Sequence, residues 1–214
     1  MSSPLSPLFP DPERLPAVFR RQFLHSPENE GDVLIEGVLD EVWYRPRWLG
    51  PFFWLLERAG ILIAERAENV RTTLRVEARY DRDGQPYHLW YRRFYGEERV
   101  KKFDVKVIYD RASERAVDVV GHRGRLALGW DVRFIEPDTL KLDVIAAGLR
   151  TDKRIVWLPS WLWPLMFGRE EFTQKVVSVA ENRISINLLI RHPLFGPVFC
   201  YRGTFTVGSE PSLY

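Results

Sequence analysis

The residues best suited to hold an anion are two neighbouring arginines inside a run of aromatics, "HLWYRRFY", His88 to Tyr95. On a strand, successive side chains point to opposite faces, so His88, Trp90, Arg92 and Phe94 share one face and Leu89, Tyr91, Arg93 and Tyr95 the other. One arginine of the pair therefore lies on the concave side of any sheet that curls. With apolar walls around it, such a guanidinium takes a carboxylate or phosphate head group bidentately. The other reading is an arginine at the sheet rim, stacked on Trp90 or Tyr91 or paired with Glu97 or Glu98. The pattern leaves open which of Arg92 and Arg93 faces inward. His88, close to a turn, reads as a surface residue rather than a base.

Other polar groups offer less. Glu170 and Glu171 are adjacent, and paired acids do acid–base work when one is desolvated. Neighbours on a strand point apart, however, so the two read as a solvated strand entry. Asp131 and Arg133 lie opposite an apolar stripe and read as outward residues or a cross-strand ion pair. The chain has no glycine-rich phosphate loop, no G-x-S-x-G elbow and no H-E-x-x-H. His25, His88, His122 and His192 lie far apart and Cys200 is the single cysteine, so no local motif supports a metal or a cofactor, and none is expected. No catalytic residue can be named.

The elements that must position the arginines follow from periodicity. "LPAVFRRQFLH" reads as a short helix with Leu15, Val18, Phe19 and Phe23 on one face. Val33 to Tyr44 reads as a strand with a bulge or bend at Gly37. From Val70 the period is two. Leu74, Val76, Ala78 and Tyr80 share a face, "DRDGQP" is a hairpin turn, and "YHLWYRRFY" answers it. Further strands follow in "VKKFDVKVIYD", in "AVDVVGHRGRLALGWDVRFI" with its stripe of Leu126, Leu128, Trp130, Val132 and Phe134, and in "TLKLDVIAAGLR". "EEFTQKVVSVA", "RISINLLIRHP" and "GPVFCYRGTFTV" complete the set. So many short strands predict a mostly β (α+β) fold, a single curled or closed antiparallel β-barrel of lipocalin-like or lipoprotein-carrier-like shape. The expected layout is an extended proline-rich lead-in over 1–14, one barrel-like domain over 15–207 and a flexible tail over 208–214.

Two helical insertions interrupt the strands, near 47–65 and 157–168, and they are the most apolar stretches of the chain. The first contains Phe53 and Trp54 in a helix apolar on every side. The second, "WLPSWLWPLMFG", carries Trp157, Trp161 and Trp163, and its prolines limit any helix to a turn or so. Indole N–H groups need partners, which suits a wet boundary. Three readings stand: a plug of ordinary core, a lid over an apolar cavity, or a contact with a membrane interface.

Composition narrows the function classes. With 45% hydrophobic residues and 28% charged in 214, a sizeable core is expected and disorder is not. The 31 basic residues are interspersed with 29 acidic ones for a net charge of +2, so nucleic acid is not an expected partner. No apolar run reaches the length of a transmembrane helix, the first residues lack a signal-peptide pattern, and one cysteine fits a reducing compartment. A cytoplasmic location is expected.

Several motifs together resemble a bacterial family catalogued as domain of unknown function 4166. They are W-x-R-x-F (Trp90, Arg92, Phe94), L-P-x-W-L-x-P (Leu158, Pro159, Trp161, Leu162, Pro164) and a closing Pro193, Leu194, Gly196, Tyr201 and Gly203. The resemblance covers roughly 15–207. It departs at Tyr95, where the family pattern has glycine, and in a tryptophan-richer 157–168 segment. The family carries no assigned reaction; in some members the domain is joined to dehydrogenase-like or membrane modules, which implies an accessory role. The sequence reading is a protein that binds a hydrophobic small molecule, a lipid or polyketide-like compound. Phe53, Trp54, Trp90, Arg92, Arg93, Trp130, Trp161, Trp163 and Tyr201 are its candidate site. The rivals are an isomerase or cyclase that uses the same cavity and an accessory interaction domain. A peripheral membrane contact and a homodimer are further expectations.

Overall fold

Alternating apolar and polar residues along most of the chain produce strands, and their shared apolar face turns inward. The computed structural model describes all residues except 1–2, 30, 65, 98, 122–123, 152–153 and 211–214, and only the backbone of 209–210. The strands are β1 (Asp32–Tyr44), β2 (Ala67–Tyr80), β3 (Pro86–Tyr95), β4 (Val100–Asp110), β5 (Arg115–Val120), β6 (Leu126–Ile135), β7 (Thr139–Arg150), β8 (Ile155–Trp157), β9 (Arg169–Ser178), β10 (Arg183–His192) and β11 (Gly196–Glu210). Three α-helices punctuate them, α1 (Ala17–Phe23), α2 (Gly50–Arg58) and α3 (Leu162–Phe167).

The strands run β6-β5-β4-β3-β2-β1-β11-β10-β9-β7, and a further β6–β7 pairing joins the two ends. The result is a closed antiparallel barrel of ten strands, the closed form of the architecture expected from periodicity. Closure gives each of those strands a neighbour on both sides. The short β8 lies outside the ring, on the same edge of β7 that β9 uses further along: β9 pairs with Thr139–Asp143 and β8 with Gly148–Arg150.

Gly37 does not mark a bulge. The register shift in β1 falls between Leu39 and Glu41. Gly37 is instead required by close approach: a Cβ there would strike the carbonyl oxygen of Thr204, and one on Gly203 would strike that of Val38. Gly37 pairs with Phe205 and Gly203 with Leu39, so the two glycines sit two rungs apart on the β1–β11 ladder, beside the bulge of β1.

One end of the barrel is sealed by the N-terminal segment. The prolines suggest an extended lead-in, but the chain turns twice in 3-10 geometry, at Ser6–Leu8 and Pro12–Arg14. Leu5, Phe9 and Leu15 are buried there, together with Phe19 and Phe23 of α1. Burying these large side chains is worth about 1.5–3 kcal/mol each, which outweighs the preference for an extended proline-rich chain. Phe23 meets Trp90 edge-on at 5.8 Å, and Trp90 lies 5.8 Å from Trp130, so the plug and the barrel interior are continuous.

His88 is not at the surface: it is completely buried, because it shares the inward face with Trp90 and Phe94 beneath the plug. Its Nε2–H donates to the His25 carbonyl at 2.7 Å, which leaves Nδ1 unprotonated and without a partner among the described residues. Burial pushes its pKa down to about 4.

Two outcomes follow. Gly203→Ala should cost roughly 1–3 kcal/mol through overpacking, read as a lower denaturant midpoint. Gly208→Ala is the control, because a Cβ there meets Leu34 only at ordinary contact distance, 3.7 Å. For His88, the unfolded chain takes up a proton near the ordinary histidine value while the fold refuses one down to about 4. Stability through this residue is therefore lost as pH falls across that window, by up to about 3 kcal/mol. An NMR titration of the imidazole should show the low midpoint; a midpoint above 6 would mean the ring is not sealed.

Candidate functional site

Not all of the barrel interior is filled. A chamber of about 90 Å³ lies above the Trp90 and Trp130 rings, walled by Phe94, Phe103, Leu142 and Phe172 among others. A second space of about 260 Å³ sits toward the open end, under α2 and α3, against Phe53, Leu56, Trp163, Met166 and Phe195. Ile61, Leu62, Leu128, Val144, Glu170 and Ile190 line both, so the two adjoin. The walls are overwhelmingly apolar.

Four polar side chains interrupt those of the inner chamber, and His192 lines the outer space. Arg92 comes from β3, Asp118 from β5, Glu170 from β9 and Tyr201 from β11. The alternation of each strand sets their direction. Arg92 lies between Leu74 of β2 and Phe103 of β4 in the ladders, and Asp118 lies between Val107 and Leu128. Glu170 is in phase with Phe172, and Tyr201 with Phe199 and Phe205. Gly168, at φ 80, turns the chain from α3 into β9, and a Cβ there would press on Ile190. All four keep some accessible surface, but it opens on the chamber, away from bulk water.

Arg92 carries the charge of the site. Its guanidinium lies 5.1 Å from the Trp90 ring centroid and 5.2 Å from that of Phe103, contacts that favour a weakly hydrated planar cation. Among the described residues no carboxylate oxygen comes within the 4.0 Å of an ion pair. Burial dominates the neighbouring acids. Desolvation raises the pKa of Asp118 well above the carboxylate range, against the opposing pull of Arg92. The same balance lifts Glu170 to about 7, and the Tyr201 hydroxyl is pushed up as well. Burial thus works against the charged form of Asp118, Glu170 is poised between its two forms near neutral pH, and the guanidinium is only partly offset. Asp118 Oδ1 has no hydrogen-bond partner among the described residues.

The arginine pair is thus resolved. Arg93 faces outward, paired with Asp104 and stacked 5.8 Å over Tyr91. Trp90, Arg92, Trp130 and Tyr201 are gathered in the inner chamber, and Phe53 and Trp163 at its mouth. Trp54 and Trp161 are not gathered there: they point outward, 55% and 67% exposed. Glu171 is exposed, but Glu170 is not the solvated residue expected at a strand entry. A signal for it existed, since Glu170, Phe172 and Val176 share the more apolar phase of β9. Asp118 had no such signal, because Ala116 and Val120 on its own face and Val117 and Val119 on the other make both faces of β5 apolar. Asp131 and Arg133 pair outside the barrel, at 3.2 Å, and Arg133 also reaches Asp143. His122 lies outside the described residues.

No curated protein matches the sequence. A solved structure described as a thioesterase II candidate from Thermobifida fusca YX is similar at 10% identity, covering 84% of this chain and 79% of that one, with a TM-score of 0.26. So slight a likeness carries no argument. Among family models, the one described as Domain of unknown function (DUF4166) matches residues 15–205, from just before α1 in the plug to the last strand. The chain belongs to that family.

Proposed function

We propose that the protein reversibly binds a hydrophobic small molecule, a lipid or polyketide-like compound bearing an acidic head group. The observation that carries this reading is the buried Arg92 guanidinium, which faces an apolar cavity without an ion-pair partner among the described residues. The apolar tail lies along the outer space toward Phe53, Trp163 and Met166, and the head group meets Arg92. Apolar burial at about 25 cal/mol per Å² provides most of the affinity, less the ordering cost of association. The arginine selects the head group by a charge-assisted bidentate contact.

A second reading shares the cavity. Glu170, its pKa lifted to about 7 beside the likewise desolvated Asp118, suits proton transfer on the bound molecule, as an isomerase or cyclase requires. Under that reading Glu170→Gln abolishes turnover of the ligand and leaves its binding intact.

Native mass spectrometry of the purified protein tests the first reading directly, and a co-purified amphiphile is the expected result. In titrations with dodecanoate, Arg92→Gln should weaken binding about 10- to 100-fold, the worth of a lost charged hydrogen-bond pair. Failure to bind any such probe, or equal binding by wild type and variant, would sink the proposal. The pH dependence has a definite sign. Above about pH 7 Glu170 ionises, offsets Arg92 and repels an acidic head group. Affinity for dodecanoate should therefore fall between pH 6 and 8, by up to about tenfold for a single linked proton. Glu170→Gln should flatten that fall. A profile unchanged by the substitution would separate Glu170 from the head-group site.

A further inference from the structure

We infer that the mouth of the barrel is a membrane-docking surface, seated on the headgroup region of an anionic bilayer. Three segments meet there: the chain entering and forming α2, the α3 segment, and the β10–β11 turn. They are knit together. Trp48 packs edge-on against Phe195 at 5.2 Å, and His192 Nε2–H donates to the Leu165 carbonyl at 2.9 Å. Their outer surface is nonetheless apolar. Trp48, Trp54, Trp161, Leu194, Met166 and Phe195 are all exposed, Trp161 at 67% and Leu194 at 73%. A cluster of exposed large side chains from three separate segments around one opening is a surface that excludes water when covered.

The occupant follows from charge and chemistry. Residues 45–63, 157–169 and 190–199 contain five arginines, Arg45, Arg47, Arg58, Arg169 and Arg191, against one acid, Glu57. That acid is already engaged, 3.0 Å from Lys101 Nζ. The chain as a whole has only two more basic than acidic residues, so these segments are more basic than the chain. Glu41, Glu68 and Glu97 nonetheless line a groove with Arg45 and Arg47, and Glu171 follows Arg169 at one residue's remove. Arg58 lies 5.7 Å over the Trp54 ring and Arg45 5.1 Å over Trp43, which places cations next to indoles. Indoles prefer the headgroup level of a bilayer, and flanking arginines are attracted to anionic lipids there. The apolar collar also continues into the cavity through Phe52 and Met166. A hydrophobic molecule passing between bilayer and cavity would cross no water. A protein partner or a second copy could cover apolar surface, but neither accounts for the arginine excess or the open mouth. The inference stands on the collar alone, whatever the cavity binds.

Sedimentation with phosphatidylcholine vesicles, with and without phosphatidylglycerol, tests it. The protein should partition onto the phosphatidylglycerol vesicles with a blue shift of tryptophan emission, and added salt should release it. Trp54→Glu/Trp161→Glu alters two exposed positions, so circular dichroism and melting should be retained while partitioning drops at least tenfold. Arg92→Gln should sediment like wild type, which separates docking from cavity binding. Absence of vesicle binding by the wild type would overturn the inference. So would a wild-type dimer that the double variant converts to monomer without any change in lipid partitioning, because the collar would then belong to a second copy of the chain.

Discussion

Closure of the sheet through β6 and β7 is the constraint on which the rest of the molecule depends. Once those strands pair, the inward side chains of ten strands share a volume fixed by strand number and tilt rather than by the size of those residues. Leu126 to Phe134 on β6 and Leu140 to Val144 on β7 supply part of the filling. Large rings at one end, Trp90, Trp130 and the N-terminal plug, complete it there. At the other end the filling stops short, and the gap under α2 and α3 is the cavity. A barrel thus plugged on one side offers a single direction of access.

Within that volume one cation sets the character of the site. Removing a guanidinium from water is costly unless charge or π-density compensates. Arg92 has the faces of Trp90 and Phe103 and two acids whose own ionisation is opposed by the same burial. Each carboxyl is drawn toward its charged form by Arg92 and away from it by desolvation, and desolvation prevails. A fully ionised Asp118 or Glu170 would quench the arginine. Their raised pKa values leave positive potential in an apolar chamber, a condition suited to an anion with a greasy tail.

Much of this was legible in residue order, for a physical reason. Period two runs clearly along β4 and β6, and along β3 alternation fixes which residues share a face, though not which face is inward. The pairing of Trp90 with Arg92 and the stripe from Leu126 to Phe134 could therefore be read directly. What escaped were quantities set by tertiary context. His88 lies in the inward phase, yet its burial depends on the plug, and part of that plug, the 3-10 turns before α1, comes from a segment whose prolines suggest an extended chain. Asp118 sits among valines on both faces, so alternation carries no information about its direction. Trp54 and Trp161 belong to apolar segments whose composition gives no phase at all. Which indole turns to the cavity and which to the outside depends on where α2 and α3 rest on the barrel rim.

The divided edge of β7 has a mechanical meaning. β9 takes its first five residues and β8 its last three, and the Ala147 carbonyl accepts from Leu158 N–H at 2.8 Å, leaving Val144 to Ala146 without a ladder partner on that side. The chain between β8 and β9 is the α3 segment, so that helix is suspended across an unzipped stretch of wall, with Gly168 at one attachment. Displacing it breaks no ladder bond of the closed ring. The bonds that keep the barrel folded and those that hold α3 over its mouth are thus different, and mutation can tune one set while leaving the other in place.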